Sequence, residues 1–442
     1  MKLSRGLRFL LGEYSLLWRA ARPALRRHNR LKGDFPQRLV PEDWRPDGPV
    51  DLWIQAASGG EAFLARQLLG DLGLLAAEAQ RRLRVLCTSC TRQGLDVLQG
   101  AKEDARSAWP LLAVEVRVFP LDEGPIMRRA LDFASPRAVA LLETELWPSL
   151  MAACAERDMP VLVLNGRMTE KSYGGYRWFG PLWRRLAPRR ILAMDGADAA
   201  RFAALFGYGR VSVMPNMKFD ALGESPPGLT AESPARRLLP GPYPVVLLAS
   251  VREEEETALL PVFAFLRAAA PEAVIVVAPR HMERIPAWER LLGGRARAGG
   301  AVLRSSLERE GGVAAAGSTV IWDAFGELTA LYARCSATFV GGSLAPLGGQ
   351  NFLEAAGQGR VPVVGPHWKN FAWVGEAFFT AGLGLRVRGA EELGPALTAQ
   401  LHAAPDPARV KEKLAAYIAS RRGGTRMAAL AAWETAFGPA FE

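Results

Sequence analysis

Short aliphatic runs alternate with helical stretches from residue 50 onward, and they do so in two successive series. The first series places strands over 51–57, 83–89, 114–119, 138–143, 161–165, 190–194 and 211–214. The second places them near 245–250, 273–278, 301–304, 319–322, 337–341 and 361–364. Apolar runs of this length predict buried parallel strands, and the intervening helices must wrap them. Between the series lies GESPPGLTAESPARRLLPGPYP (223–244), whose Pro, Gly and Ser content predicts a linker. A chain of 442 residues also exceeds one ordinary core. The expected organisation is therefore a basic helix over 1–32, an α/β domain over 33–222, a linker over 223–244 and a second α/β domain over 245–442, with a cleft between the domains. The last forty residues, Ala-rich and helical, either close the second domain or cross back to the first.

The net charge of +10 suggests a nucleic-acid partner until it is located. Residues 1–32 hold nine Lys or Arg against Glu13 alone, so +8 of the +10 sits there and the rest is nearly neutral. A broad nucleic-acid footprint is not expected. In helical register Leu3, Leu7, Leu10, Leu11, Tyr14, Leu17, Trp18 and Ala21 share one face, and Arg5, Arg8, Ser15, Arg19, Arg22 and Arg26 share the other. No run approaches the roughly 18–20 apolar residues of a bilayer span, and no small-residue cleavage site follows. A basic amphipathic helix of this kind fits a membrane interface; the plain alternative is a terminal helix docked on its own domain. Cys87 and Cys90 form a lone C-x-x-C with no second pair to complete a zinc site, and with Cys154 and Cys335 they are expected to be reduced and buried.

AVALLETELWPSLM (138–151) ends a strand in two carboxylates, Glu143 and Glu145, with Pro148 positioned to start a helix. Open α/β sheets hold ligands at the carboxyl ends of their strands. A helix-start charge explains one such acid well and two poorly. The arrangement recurs in DLWIQAASGGEAFLARQLL (51–69), where Glu61 follows a Ser-Gly-Gly turn, so a carboxylate-dependent active site is expected. VSVMPNMKFDAL (211–222) adds Lys218, which is either a solvated lysine or an anion contact.

The second series looks like a nucleotide binder. GGSLAPLGGQNFLEAAGQG (341–359) follows a strand, so its glycine amides and a helix starting at Asn351 can approach a phosphate. Neither a Walker lysine nor a G-x-G-x-x-G spacing is present. Asn351 and Glu354, one turn apart, suit ribose hydroxyls or else a helix start. VIVVAPRHMER (274–284) sets Arg280 and His281 past a strand, and VIWDAFGELTALY (320–332) sets Gly326 and Glu327 at a helix start. YGGYRWFGPLWRRLAPRR (173–190) interleaves aromatic residues with five arginines, as bases, anionic lipids or a buried aromatic face would require.

Together ASGGEAFLA, LLETELWPSL, VLNGRMTEKSYGGY, PNMKFD, APRHMER, FGEL, GGSLAPLGGQNFLEAA and VVGPHWKNF resemble the Kdo transferases, which attach 3-deoxy-D-manno-octulosonic acid to the lipid A precursor. The resemblance runs across residues 45–380 and implies a GT-B fold of two Rossmann-like domains, acceptor in the first and CMP-activated sugar in the second. It implies inverting, metal-independent transfer from CMP-Kdo to lipid IVA, with no cofactor, at the cytoplasmic face of the inner membrane and in contact with its anionic lipids. Glu61 matches the general base, and Glu143 and Lys218 match transition-state stabilisers. Pro279, Arg280, Phe325, Gly326, Glu327, Asn351, Phe352, Leu353 and Glu354 match segments that bind CMP. Gln55, Gly59, Met282, Gln350 and Phe352 depart from the family's usual residues, which leaves acceptor preference and the number of sugars open. Two other readings compete: a GT-B transferase with another nucleotide sugar or acceptor, and a membrane-peripheral binding protein with a degenerate site.

Overall fold

The computed structural model describes residues 5–29, 31–223, 228–293, 300–403 and 405–439. The chain forms two compact units, Met1–Ala221 with Arg421–Glu442, and Leu222–Ser420.

The first unit is built on seven parallel strands: β1 (Leu52–Gln55), β2 (Leu83–Ser89), β3 (Leu112–Val118), β4 (Ala138–Leu142), β5 (Val161–Gly166), β6 (Arg190–Ala193) and β7 (Val211–Val213). Their order is β3-β2-β1-β4-β5-β6-β7, so chain direction across the sheet reverses between β1 and β4. Gln55 pairs with Leu141 there, which aligns the two strand ends at the topological switch point. Every residue of β4 is buried, as the apolar run requires. Helices α2 (Gly59–Glu78) and α3 (Arg92–Ala108) cover one face, and α4 (Gly124–Ala134) and α5 (Pro148–Glu156) the other.

The last helix, Gly424–Phe437, belongs to this first unit and not to the second, which corrects the assignment of 245–442 to one domain. Its small residues explain the crossing. Ala428, Ala429, Ala431 and Ala432 are all buried in the core with α2 and α3. A Cβ at Gly424 would stand 2.1 Å from the Pro215 carbonyl, so only glycine permits that approach. Asp220 caps the helix start, accepting from Gly423 N at 2.7 Å and from Thr425 N at 2.6 Å.

The second unit repeats the design with β8 (Val245–Val251), β9 (Val274–Pro279), β10 (Val302–Leu303), β11 (Thr319–Ile321), β12 (Ala337–Val340), β13 (Val363–Val364) and β14 (Leu385–Arg386). The order β10-β11-β9-β8-β12-β13-β14 puts its reversal between β8 and β12. The exposed two-residue β14 carries no apolar signal and has no counterpart in the sequence expectation. Residues 224–227 of the expected linker lie outside the described residues. Its later part is folded: Pro234–Leu238 is helical, and Ala235, Leu238 and Leu239 are buried in the second unit.

Helix α1 (Arg5–Arg27) divides the expected faces differently. Leu7 is buried, and Leu11 and Trp18 pack against core clusters of the first unit. From the polar face Ser15 is also buried, and Arg19 and Arg22 both pair with Glu123, itself 1% exposed. Leu10 and Leu17 instead face outward beside Phe9 and Leu16, at 50%, 70%, 66% and 53% exposure. Leu3 lies outside the described residues. The helix is thus docked and still exposes an apolar surface. Among the described residues no helix is long and apolar enough to cross a membrane.

Candidate active site

Glu61 sits in the first turn of α2, where Ser58 and Glu61 form a reciprocal capping box. Its Oε2 accepts from Ala57 N and from Ser58 N. Oε1 has no hydrogen bond among the described residues. The carboxylate is therefore aimed by the backbone with one oxygen left over.

Glu143, directly after β4, has φ +54, a left-handed conformation that a non-glycine residue adopts only under constraint. Its Oε1 accepts from Lys218 Nζ at 2.8 Å, joining residues 75 positions apart. Two asparagines set that lysine. Asn165, also at positive φ, accepts from Met217 N at 3.0 Å, and Asn216 accepts from Lys218 N at 3.0 Å. Neither asparagine was singled out from the sequence, although Asn165 stands in VLNGRMTEKSYGGY and Asn216 in PNMKFD. The other charged residue of PNMKFD, Asp220, is the structural cap described above.

Burial pushes the Glu61 carboxyl up, and the charge of Glu143 adds to the rise. Glu145 is pushed up to about 8, first by burial and then by the charge of Glu61. Its Oε2 is buried with no hydrogen-bond partner. At neutral pH Glu145 is therefore largely a neutral acid. Neither Glu143 nor Glu145 is the helix-start charge of α5. That role falls to Asp122, fully buried, which accepts from Ser149 N and Leu150 N at 3.0 and 2.9 Å. Gln55, also fully buried, accepts from Thr88 Oγ1 and stands 3.4 Å from Cys90 Sγ.

In the second unit a cavity of about 330 Å³ is lined by Ser250, Pro279, Arg280, Phe325, Asn351 and Glu354, with Gly326 and Gln350 at its wall. The Arg280 guanidinium lies 5.7 Å from the Phe325 ring centre. Asn351 Nδ2 donates to Glu354 Oε1 at 2.8 Å, so the pair arrives preassembled. Three expected residues do not line it. Phe352 is fully buried among Phe371, Phe378 and Phe379. Leu353 is also buried. Glu327 accepts from Trp322 Nε1 and Arg304 Nη2, both at 2.9 Å. His281 is half exposed beside Glu283.

The glycine-rich turn differs from expectation in its hydrogen bonding. Glu255, fully buried, accepts from Gly342 N, Ser343 N and Leu344 N at 2.6, 2.9 and 2.9 Å. The protein's own carboxylate fills the amide cradle that a phosphate was expected to take. The helix after it spans only Leu353–Gly357, too short to present a useful dipole. In the sequence nothing distinguishes Glu255 from the other acids of R-E-E-E (252–255).

Two parallel-sheet units with strand-end sites define the GT-B glycosyltransferase fold. A glycosyltransferase structure from Rickettsia africae superposes with a TM-score of 0.53 at 12% identity, covering 88% of this chain and 99% of that one. The family model for 3-deoxy-D-manno-octulosonic-acid transferase (kdotransferase) matches residues 26–221. A 3-deoxy-D-manno-octulosonic acid transferase of Bordetella pertussis is 30% identical over 94% of this chain and 97% of its own length. One from Haemophilus influenzae is 27% identical over 73% of this chain and 72% of its own. The chain belongs to the Kdo transferase family and is a glycosyltransferase.

Proposed function

We propose that the protein transfers Kdo from CMP-Kdo to a hydroxyl of lipid IVA, with inversion and without a metal, in lipopolysaccharide core biosynthesis. The observation that carries this reading is Glu61 with one free oxygen beside the Lys218–Glu143 pair at the switch point of the first sheet.

Glu61 is the general base. A raised carboxyl is a stronger base than an ordinary one, which suits removal of a hydroxyl proton. Lys218 has three N–H donors and uses one on Glu143, leaving two for charge on the reacting sugar acid or the departing phosphate. A neutral Glu145 places no further negative charge opposite an acidic sugar. The cavity of the second unit takes CMP: the Asn351–Glu354 pair meets the ribose hydroxyls, and Arg280 meets the phosphate. CMP leaves readily, so no second acid need protonate it. Among the described residues no group of three or more His, Cys, Asp or Glu is arranged to hold a metal, and Lys218 and Arg280 supply cations in its place.

The membrane surface is formed by Phe9, Leu10, Leu16 and Leu17 on α1, with Trp178 and Phe179 at 78% and 54% exposure. In the 173–190 segment Trp183 and Tyr176 turn inward, at 5.4 Å centre to centre, and the arginines stay at the surface. This arrangement fits a peripheral contact with the anionic cytoplasmic face of the inner membrane.

Incubation with CMP-Kdo and lipid IVA in chelator, followed by a mass spectrum of the lipid, tests the whole reading. A mass increase of one or more Kdo residues is expected. No increase with CMP-Kdo, or one that requires added Mg²⁺, would remove it.

A further inference from the structure

A second cavity of about 210 Å³ lies in the first unit, lined by α1, α4 and α5. Arg8, Gly12 and Ser15 enter it at four- and three-residue spacing along one stripe of α1. Arg128 enters from α4, and Ser149 and Glu156 from α5.

Four donors converge there. Ser149 is 2% exposed, and its hydroxyl has no hydrogen-bond partner. Ser15 accepts from Gly124 N at 3.2 Å and keeps its own proton free to donate. A carbon placed on Gly124 would stand 3.3 Å from the Ser15 hydroxyl and 3.4 Å from Arg128 Nη2, so those two groups face one another over the bare glycine. Arg8 is exposed and forms no ion pair among the described residues. Arg128 is only loosely held, 3.6 Å from Glu156. The other acids nearby are already committed: Asp122 to two amides and Glu123 to Arg19 and Arg22.

Gly12 keeps the cavity open. A Cβ there would meet nothing within 4 Å, and its backbone is helical, so neither packing nor conformation calls for glycine. A glycine inside a helix costs about 0.5–1 kcal/mol relative to alanine. The helix accepts that cost and leaves room beside two guanidinium groups.

We infer that this cavity is a binding site for a phosphate group. Two planar cations, only one of them faced by a carboxylate (Glu156), and two hydroxyls arrive from three helices, and they match the several oxygens of a tetrahedral phosphate better than the two of a carboxylate. Exposed Phe9 and Leu16 follow Arg8 and Ser15 directly on α1, so an apolar surface suited to lipid lies on the same helix as the cavity's cation. The inference does not rest on the transferase reading.

Phosphorus NMR titration of the full-length protein with dihexanoyl phosphatidic acid and with inorganic phosphate tests it. Gly12→Leu fills the cavity from a position with no clash, and Arg8→Gln with Arg128→Gln removes its cations from exposed positions. Both variants should lose at least tenfold in phosphate affinity, with no loss of melting temperature and with wild-type CMP affinity. Tighter binding of the short-chain lipid identifies a lipid head group as the source, and equal or tighter binding of inorganic phosphate identifies the free ion. Absence of binding by either ligand, or wild-type affinity in both variants, overturns the site.

Discussion

Both sheets are parallel, seven-stranded and carry a switch point, yet the polar groups at their strand ends are treated in opposite ways. In the second unit those groups satisfy one another: Glu255 fills the glycine-turn amides, Asn351 holds Glu354, and Glu327 holds Trp322 and Arg304. In the first unit they are left with unused capacity. Glu61 keeps a free oxygen, Glu145 has an oxygen with no partner, and Lys218 spends one donor of three. A closed network makes a rigid wall for binding, whereas open valences can take or give a proton. The two units thus differ in hydrogen-bond satisfaction as well as in strand order.

Breaking the closed side should cost stability first. Glu255→Ala orphans three buried turn amides, at about 1–3 kcal/mol each, so urea unfolding should show a loss of several kcal/mol. Glu255→Gln should recover part of it. A loss below 1 kcal/mol would mean the turn does not depend on this carboxylate.

On the open side, Lys218→Ala should lower the transfer rate by about 10²–10³, the range for losing a charge-stabilising donor, with little change in melting temperature. Equal losses in rate and stability would make the lysine a structural tie.

Asn351→Ala and Glu354→Ala should each weaken CMP by about 1–3 kcal/mol. Because the two side chains bond each other, calorimetry on the double variant should show less than the sum. Strict additivity would mean that they act separately.

Glu145 gives the clearest sign. Folding raises its pKa from 4.5 to about 8, so between those values the folded state holds the extra proton. That contribution to stability is complete below the lower pKa and is lost as pH rises through the upper one, at up to about 1.4 kcal/mol per pH unit. Glu145→Gln should flatten the decline in unfolding free energy between pH 5 and 8. An unchanged profile would place the ionisation elsewhere.

Strand positions and the family were legible because aliphatic runs and contiguous motifs are local signals. Glu61, Glu143, Lys218 and Arg280 were singled out for the same reason, and the structure pairs Glu143 with Lys218 and sets Arg280 at the wall of a cavity. What escaped depends on long-range partners. Nothing near Asp122 or Glu255 announces that each will cap another segment's amides, 27 and 87 or more residues away. Phe352 and Leu353 stand in a matched motif, but helical register turns them into the core. The return of the last helix rests on Gly424 and four alanines, whose small size is visible in sequence while the surface they fit is not. For α1, periodicity found an apolar face but could not say which arc of it the protein would use.

The central claim is that Glu61 takes the acceptor's proton while the second unit binds the nucleotide. The most direct test is the single-turnover transfer rate of Glu61→Gln across pH, measured beside CMP affinity. Because burial and Glu143 raise the Glu61 carboxyl, wild-type transfer should fall on acidification with a midpoint above the ordinary glutamate range. The variant should be slower by about 10²–10⁴, should lose that acid limb and should bind CMP as wild type does. Wild-type turnover in the variant, or an unchanged acid limb, would contradict the account.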